Sequence, residues 1–96
     1  MRRHALAIKQ EDNVATAIRD IAAGEAALVG IDERTLTITV TQDIALGHKL
    51  AVRAIHKGED ILKYGTVIGR ATQDIQLGEH VHVQNVESTR GRGDLA

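Results

Sequence analysis

One phrase occurs twice in this chain, and the repeat limits the folds that the chain can adopt. TQDIALGHKLAV (41–52) and TQDIQLGEHVHV (72–83) agree at seven of twelve positions, and weaker forms appear as IRDIAAGEA (18–26) and VRAIHKGED (52–60). Each copy places a glycine in a short polar turn between apolar residues, and glycine readily adopts the positive φ that such turns often need. Two copies are too few for a solenoid, which normally needs three or more units. The repeat therefore predicts a compact fold that uses one strand–turn–strand element more than once.

The period of the apolar residues predicts that the chain is mostly β. TLTITVT (35–41) alternates strictly, so we expect Leu36, Ile38 and Val40 to face the core and the threonines to face outward. Residues 14–22 instead fit the spacing of a helix, although this segment is short and ends at a turn. The sequence thus predicts a small single domain of short strands and glycine turns. Further short strands are expected at 49–54, 60–64, 66–68 and 78–83.

The composition excludes several classes of function. With 96 residues the chain is expected to form one domain, and its core must be aliphatic because it has no Phe, no Trp and one Tyr. A net charge of −1 and the lack of stacking aromatics argue against nucleic-acid binding. The absence of cysteine excludes disulfides and thiolate metal sites. No apolar run approaches the roughly 20 residues that span a membrane, and no secretory signal is visible, so we expect a cytoplasmic protein without membrane contact.

Two histidines stand one residue apart in GEHVHVQNV (78–86). Alternate side chains of a strand share a face, so His80 and His82 should point the same way, with Val81 and Val83 toward the core. Two imidazoles at this spacing could bind one divalent cation or one anionic substrate, and both can titrate near neutral pH. A solvated strand face that happens to carry histidines explains the spacing equally well. Asn85 would reach the same site only if the strand ends or bulges before it.

The repeat brings a third histidine into consideration. In its first copy, His48 and Lys49 follow Gly47 at the positions that Glu79 and His80 occupy in the second copy. If the two copies pack as neighbours, we expect the imidazoles of residues 48, 80 and 82 to cluster. His4 and His56 have no such company in the sequence and are expected at the surface.

Further candidates for a site lie in two short turns. Lys63 and Tyr64 precede Gly65 and add a cation and the only aromatic side chain, and Lys49 and Lys63 would suit a carboxylate substrate. Ordinary turns with solvated lysines are the alternative. Asp12 and Asn13 could cap a helix or a turn.

Together these phrases resemble a known family. Residues 45–86 closely resemble the N-terminal region of altronate and galactarate dehydratases, and the opening phrases extend the resemblance to about residue 13. In that family the region is an SAF-type β-clip domain, either fused to a large catalytic portion or present as a separate small subunit. The resemblance implies that residues 14–21 form a strand and that residues 1–86 form the SAF-type β-clip domain. Residues 87–96 are polar and rich in glycine, and we expect them to form a flexible tail or to lie on a partner. The phrases that carry it are Gly47-His48-Lys49, Lys63-Tyr64-Gly65, Ile68-Gly69, Gly78-Glu79-His80-Val81-His82 with Asn85, Asp12-Asn13-Val14-Ala15 and Asp20-Ile21-Ala22-Ala23-Gly24-Glu25.

The resemblance also implies a reaction. The family removes water from a sugar acid to give a 2-keto-3-deoxy acid and is associated with iron(II) or manganese(II). It implies that the chain is a small hydro-lyase subunit, inactive without a separate large catalytic subunit that holds the metal mainly itself or shares it. The expected catalytic residues are His48, His80 and His82, with His80 and His82 as the metal pair, and the expected substrate-binding residues are Lys49, Lys63, Tyr64 and Asn85. Relatives often carry a third histidine near position 84, where this chain has glutamine.

Other functions remain open at this point. The alpha subunit of sulfolactate sulfo-lyase looks like the same module, and its reaction expels sulfite in place of hydroxide. A non-catalytic β-clip module that binds sugars or anions would need none of this chemistry. The sequence also leaves open an assembly of several copies of the chain.

Overall fold

In the computed structural model, which describes residues 3–88, the chain is built from strands and turns. A six-stranded sheet has the order β4-β3-β1-β2-β5-β8, and a three-stranded sheet has the order β6-β7-β9. Neighbouring strands are antiparallel except for β1 and β3, which are parallel. This arrangement confirms the mostly-β prediction. The strands are β1 (Ala5–Ala7), β2 (Val14–Ala17), β3 (Ala26–Ile31), β4 (Arg34–Thr39), β5 (Lys49–Ala51), β6 (Asp60–Lys63), β7 (Thr66–Ala71), β8 (His80–Val81) and β9 (Val86–Glu87).

Two aliphatic cores lie on opposite faces of strand β5. Its side chains alternate, so Leu50 packs in the larger core and Ala51 packs in the smaller one. Large, fully buried members of the larger core include Ile21, Ile44, Val29 and Val40, and those of the smaller core include Val14, Ile55, Ile61, Ile75 and Val81.

The four related phrases form four equivalent turns in two pairs. An antiparallel bridge joins Ile21 to Ile44, and a second one joins Ile55 to Ile75. The glycine of each turn has a φ between +85° and +92° and donates its N–H to a backbone carbonyl. The fold therefore reuses one turn, as the repeat predicted. These glycines are Gly24, Gly47, Gly58 and Gly78, and their acceptors are the carbonyls of Val40, Ala17, Ala71 and Ala51.

A glutamate closes three of these turns. It follows the glycine, and its Oε1 accepts a hydrogen bond of 2.7–3.0 Å from a backbone N–H within the same turn. The fourth turn has His48 at this position, and its ring points toward His80 instead. The turn at Gly47 therefore has an imidazole where the other three turns have a carboxylate that closes the turn. The three closing bonds are Ala22 N to Glu25, His56 N to Glu59 and Gln76 N to Glu79.

The strand predictions from the sequence hold for most of the chain. Ile38 and Val40 are buried and Leu36 is partly buried, whereas the intervening threonines are exposed. Residues 14–17 form strand β2, as the family resemblance implied and against the helical spacing, but the strand implied for residues 14–21 ends at Ala17.

Val86 and Glu87 in β9 pair with β7, so Glu87, the first residue assigned to the tail, lies in the three-stranded sheet. The rest of the predicted tail, from residue 89 onward, lies outside the described residues. Within residues 3–88 no helix is long and apolar enough to cross a membrane.

Candidate functional site

The structure brings the three predicted histidines together. The ring of His48 stacks on that of His82 with centroids 4.3 Å apart and lies 5.2 Å from that of His80, and the His80 and His82 rings lie 5.5 Å apart. His48 Nδ1 and His80 Nε2 are 2.9 Å apart. All three residues are partly buried, so the cluster is open to a ligand from one side.

The pairing of β5 with β8 explains this convergence. Leu50 stands opposite His80, and Lys49 stands opposite Val81. Directly paired residues share a face of the sheet, so His80 lies on the Leu50 face and Lys49 lies on the other. Position 48 precedes Leu50 by two residues, which places His48 on the same face as His80.

A turn after β8 supplies the third ring. Strand β8 ends at Val81, and residues 82–85 turn back, which carries His82 over His48. Val83 was expected in the core, but this prediction is wrong: Val83 is 81% exposed. The alternation ends because the strand ends, so the residues beyond Val81 no longer follow a period of two.

Asn85 holds this turn from within. Its Oδ1 accepts a hydrogen bond from His82 N, and its Nδ2 donates one to His80 O, at 3.0 and 2.8 Å. The residue has no exposed surface, so its position does not suit the direct substrate contact predicted for it. An asparagine just after a short strand is typical of a turn closed by its own side chain, and that signal was available in the sequence.

Gln84 also contacts the cluster, a role that its position in the sequence did not indicate. Its Nε2 lies 3.0 Å from His80 Nδ1 and 3.3 Å from His80 O. Gln84 therefore contacts both the ring and the backbone carbonyl of His80.

Two cavities adjoin the cluster. The larger has a volume of about 560 Å³ and includes His48 and His80 in its lining, together with Ile21 and Ile44 of the larger core. The smaller has a volume of about 210 Å³ and is lined in part by His82, Lys49 and Val83. The imidazoles therefore stand where a ligand in either cavity could reach them.

Comparison with known families decides what this site belongs to. The model of the altronate/galactarate dehydratase SAF domain matches residues 3–89. The chain belongs to this family. The SAF domain is 43% identical over 81 residues to altronate dehydratase of Bacillus subtilis (strain 168); the match covers 84% of this chain and 16% of that enzyme.

Two smaller relatives carry a different name. The SAF domain is 48% identical over 58 residues to the (2R)-sulfolactate sulfo-lyase subunit alpha of Chromohalobacter salexigens, covering 60% of this chain and 62% of that subunit. It is 35% identical over 63 residues to the subunit of the same name in Paracoccus pantotrophus, covering 66% of this chain and 94% of that subunit.

The environment disfavours the protonated forms of His80 and His82. Burial lowers the pKa of His80, and the nearby positive charges of His48, His82 and Lys49 lower it further. The pKa of His82 is also lowered, first by desolvation and then by His48 and Lys49. Neutral imidazoles have a free lone pair, which a metal ligand or a general base requires.

The donor set fits a transition metal. One ring nitrogen from each histidine lies within 4.8 Å of the others, and within residues 3–88 this is the one such group of potential ligands. The separation of 2.9 Å between His48 Nδ1 and His80 Nε2 suits two donors on one ion with bonds of about 2.0–2.1 Å. Imidazole is a common ligand of transition-metal ions.

The two lysines predicted to bind substrate lie close together. Burial lowers the pKa of Lys49, and the positive charge of Lys63 lowers it further. The Lys63 Nζ lies 5.1 Å from the centroid of the Tyr64 ring. The ion pairs described within residues 3–88, His4–Glu25 and Arg19–Glu25, include neither lysine. Two cations without a described acid beside them favour an anionic ligand.

Asp12 fixes the hairpin that carries Lys63 and Tyr64. Its buried carboxylate accepts hydrogen bonds from four backbone N–H groups, two of them at the tip of this hairpin. Tyr64 there has a φ of 55°, which is unusual for a residue other than glycine. Asp12 therefore caps turns and not a helix. The donors are Ile8, Lys9, Tyr64 and Gly65.

The two remaining histidines differ from each other. His56 is exposed, as predicted. The prediction of a surface position is wrong for His4, whose side chain is only 13% exposed. Its Nδ1 accepts a hydrogen bond of 2.9 Å from Leu28 N, and its Nε2 lies 3.3 Å from Glu25 Oε2. His4 is therefore part of the sheet's hydrogen bonding.

Proposed function

We propose that this SAF domain forms one side of the active site of a sugar-acid dehydratase and that a large catalytic subunit or portion forms the rest. The observation that carries the proposal is the meeting of three imidazoles, from both copies of the repeated phrase, beside two cavities. The relatives are named as a dehydratase and as a subunit of a lyase. The chain spans about one sixth of the altronate dehydratase that it matches, which supports a shared site.

The reaction needs a base and a way to hold negative charge. A base removes the proton beside the carboxylate, and the hydroxyl leaves from the adjacent carbon. His82 suits the base, because it shares the smaller cavity with Lys49, which would hold the substrate carboxylate. Lys63 lies close enough to Lys49 to lower its pKa, and Tyr64 lies beside Lys63, so these two side chains would assist with carboxylate or hydroxyl groups.

A metal ion would be held by His48 and His80 in this proposal. Their facing nitrogens are 2.9 Å apart, which makes them a better ligand pair than His80 and His82, the pair expected from the sequence. A bound divalent metal ion would supply Lewis-acid stabilisation of the charge that develops on the carboxylate. The large subunit would complete its coordination.

Matched histidine variants of the assembled enzyme test these roles. His82→Ala should keep metal binding and lower turnover by about 10²–10⁴-fold, the usual contribution of a general base. His80→Ala should lose both metal and turnover, and the exposed His56→Ala should lose neither. Formation of the 2-keto-3-deoxy acid and bound metal are measured for each. Full turnover by the large subunit without this chain would contradict the proposal.

A second reaction of the same class is elimination of sulfite from sulfolactate. It is favoured by the Paracoccus pantotrophus relative, nearly all of which this chain spans. Release of sulfite from (2R)-sulfolactate by the assembled enzyme, without dehydration of any aldonate, would establish this reaction instead.

Binding of sugar acids with equal affinity without metal or partner would indicate a non-catalytic module. A cytoplasmic location and an assembly of several copies stay predictions.

A further inference from the structure

The two cavities lie on opposite faces of the sheet edge that carries the imidazoles. His80 shares a face with Leu50, and the larger cavity on this side includes His48 and His80. Lys49 points to the other face and lines the smaller cavity with His82. A ligand that spans the histidine cluster would therefore place its two ends in different surroundings.

The larger cavity carries negative charge. Asp20, Glu25 and Asp43 line it, and the charge of Glu25 is partly offset by Arg19, whose guanidinium lies 3.9 Å away. Asp20 and Asp43 each use Oδ1 to accept a backbone N–H, from Leu46 at 2.8 Å and from Ala23 at 2.9 Å. Within residues 3–88 no ion pair is described for either aspartate, so their charges are not offset there.

The smaller cavity has the opposite character. Lys49 lines it, and the charge of Lys63 lies close enough to depress the pKa of Lys49. No aspartate or glutamate is among its described lining residues. An acid group of a ligand is therefore favoured on this side and opposed on the other.

We propose that this division makes the site selective for sugar acids with a single carboxylate. The inference rests on the proposed function. The carboxylate would lie toward Lys49, and the uncharged hydroxyl chain would extend into the larger cavity. An ionised carboxylate only accepts hydrogen bonds, so Asp20 and Asp43 can receive them from hydroxyls but would repel a second carboxylate. Ile21 and Ile44 offer apolar surface to the carbon chain.

A pair of six-carbon acids tests this selectivity. Gluconate has one carboxylate and glucarate has two, with the same carbon chain between its ends. The full chain is titrated with each at equal ionic strength, and binding is followed by NMR at the amides of Ala23 and Leu46, which contact the two aspartates. We expect glucarate to bind roughly tenfold more weakly, as expected for about 1.4 kcal/mol of like-charge repulsion.

Charge-removing variants locate the effect. Asp20→Asn combined with Asp43→Asn keeps an oxygen to accept each backbone N–H but removes both charges, so the preference for gluconate should largely disappear. Asp74→Asn is the matched control, because Asp74 accepts Lys57 N in the equivalent turn but does not line the cavity. This control should keep the full preference.

The outcomes separate this inference from the proposed function. Equal binding of the two acids, or a preference that survives removal of both charges, would overturn the selectivity alone. Turnover that still depends on His82 would in that case leave the proposed function standing. A failure of both acids to bind, together with turnover that does not depend on His82, would overturn both.

Discussion

The stacked rings of His48 and His82, whose centroids lie 4.3 Å apart, join the two copies of the repeated phrase. His48 belongs to the turn of the first copy, and His82 follows the turn of the second. The two turns have the same backbone, but only the turn at Glu79 is closed by a glutamate. The duplicated element therefore supplies the scaffold, and one substitution within it releases a side chain for the site.

The substitution His48→Gln should stabilise the fold and weaken metal binding. In His48→Gln, the side-chain oxygen can accept from the N–H of Ala45, as glutamate does in the other three turns. We expect the free energy of unfolding in urea to rise by about 0.5 kcal/mol, within the usual net value of one hydrogen bond. Metal binding, followed by calorimetry, should fall sharply. His48→Ala is the control, because it loses metal without the gain, and equal stability of the two variants would contradict this account.

The depressed pKa values of His80 and His82 predict how stability depends on pH. Both histidines bind protons less readily in the folded chain than in the unfolded one, where the pKa is 6.5. The unfolded chain therefore binds more protons between the folded pKa and 6.5, so the free energy of unfolding should fall as pH drops through this window. Urea unfolding of the metal-free domain between pH 7.5 and pH 5 measures the slope.

Two variants assign that slope to the cluster. His80→Gln removes one imidazole and weakens the repulsion felt by its neighbours, so the decline of stability below pH 6.5 should become shallower. His56→Gln removes an exposed histidine and should leave the slope unchanged. If the free energy of unfolding of both variants depends on pH as steeply as that of the parent chain, the pH dependence arises elsewhere in the domain.

The sequence predicted the fold well where local pattern and packing agree. Alternation identified the inward side chains of residues 36–40, and the repeat identified the four glycine turns. The apolar spacing alone was misleading at residues 14–17, where burial on both faces of a central strand mimics a helix, although the family resemblance implied a strand there. Such a strand has no alternation to recognise.

The clustering of the three histidines was predictable from the sequence, but its detail was not. The repeat brought His48 together with His80 and His82, because equivalent turns of a duplicated element lie near each other. The roles of Asn85 and Gln84 depend on a turn at residues 82–85, which begins where strand pairing stops. The partner of a strand is distant in sequence, so the residues of the strand alone do not determine where it ends.

Asp12 should be critical for stability although it lies outside the histidine cluster. Burial raises the pKa of its carboxyl group, but four backbone hydrogen bonds outweigh this effect and lower it below 3.8. Asp12→Asn turns one acceptor oxygen into an NH₂ group that faces backbone donors. We expect a loss of about 2–3 kcal/mol in the free energy of unfolding, as for a hydrogen-bonded charge left unsatisfied. Urea denaturation at pH 7 measures it.

The control for Asp12 is Asp74→Asn. Asp74 accepts a single backbone hydrogen bond at an exposed turn, so this change should cost well under 1 kcal/mol. In the parent chain, the contribution of Asp12 should persist to low pH and disappear only as pH falls through its depressed pKa. Equal losses in the two variants would show that the buried carboxylate has no special role.

Two glycines with the same backbone conformation should respond differently to alanine. Gly58 and Gly78 have φ values of +92° and +85°, but a Cβ on Gly58 would meet open space, whereas one on Gly78 would collide with the carbonyl oxygen of Thr39. Gly58→Ala should cost only the strain of positive φ, about 1–2 kcal/mol. Gly78→Ala must also displace the backbone at Thr39 and should cost about 3 kcal/mol or more in the free energy of unfolding. Thermal and urea unfolding of both variants measure the difference, and equal losses would mean that the chain near Thr39 yields without cost.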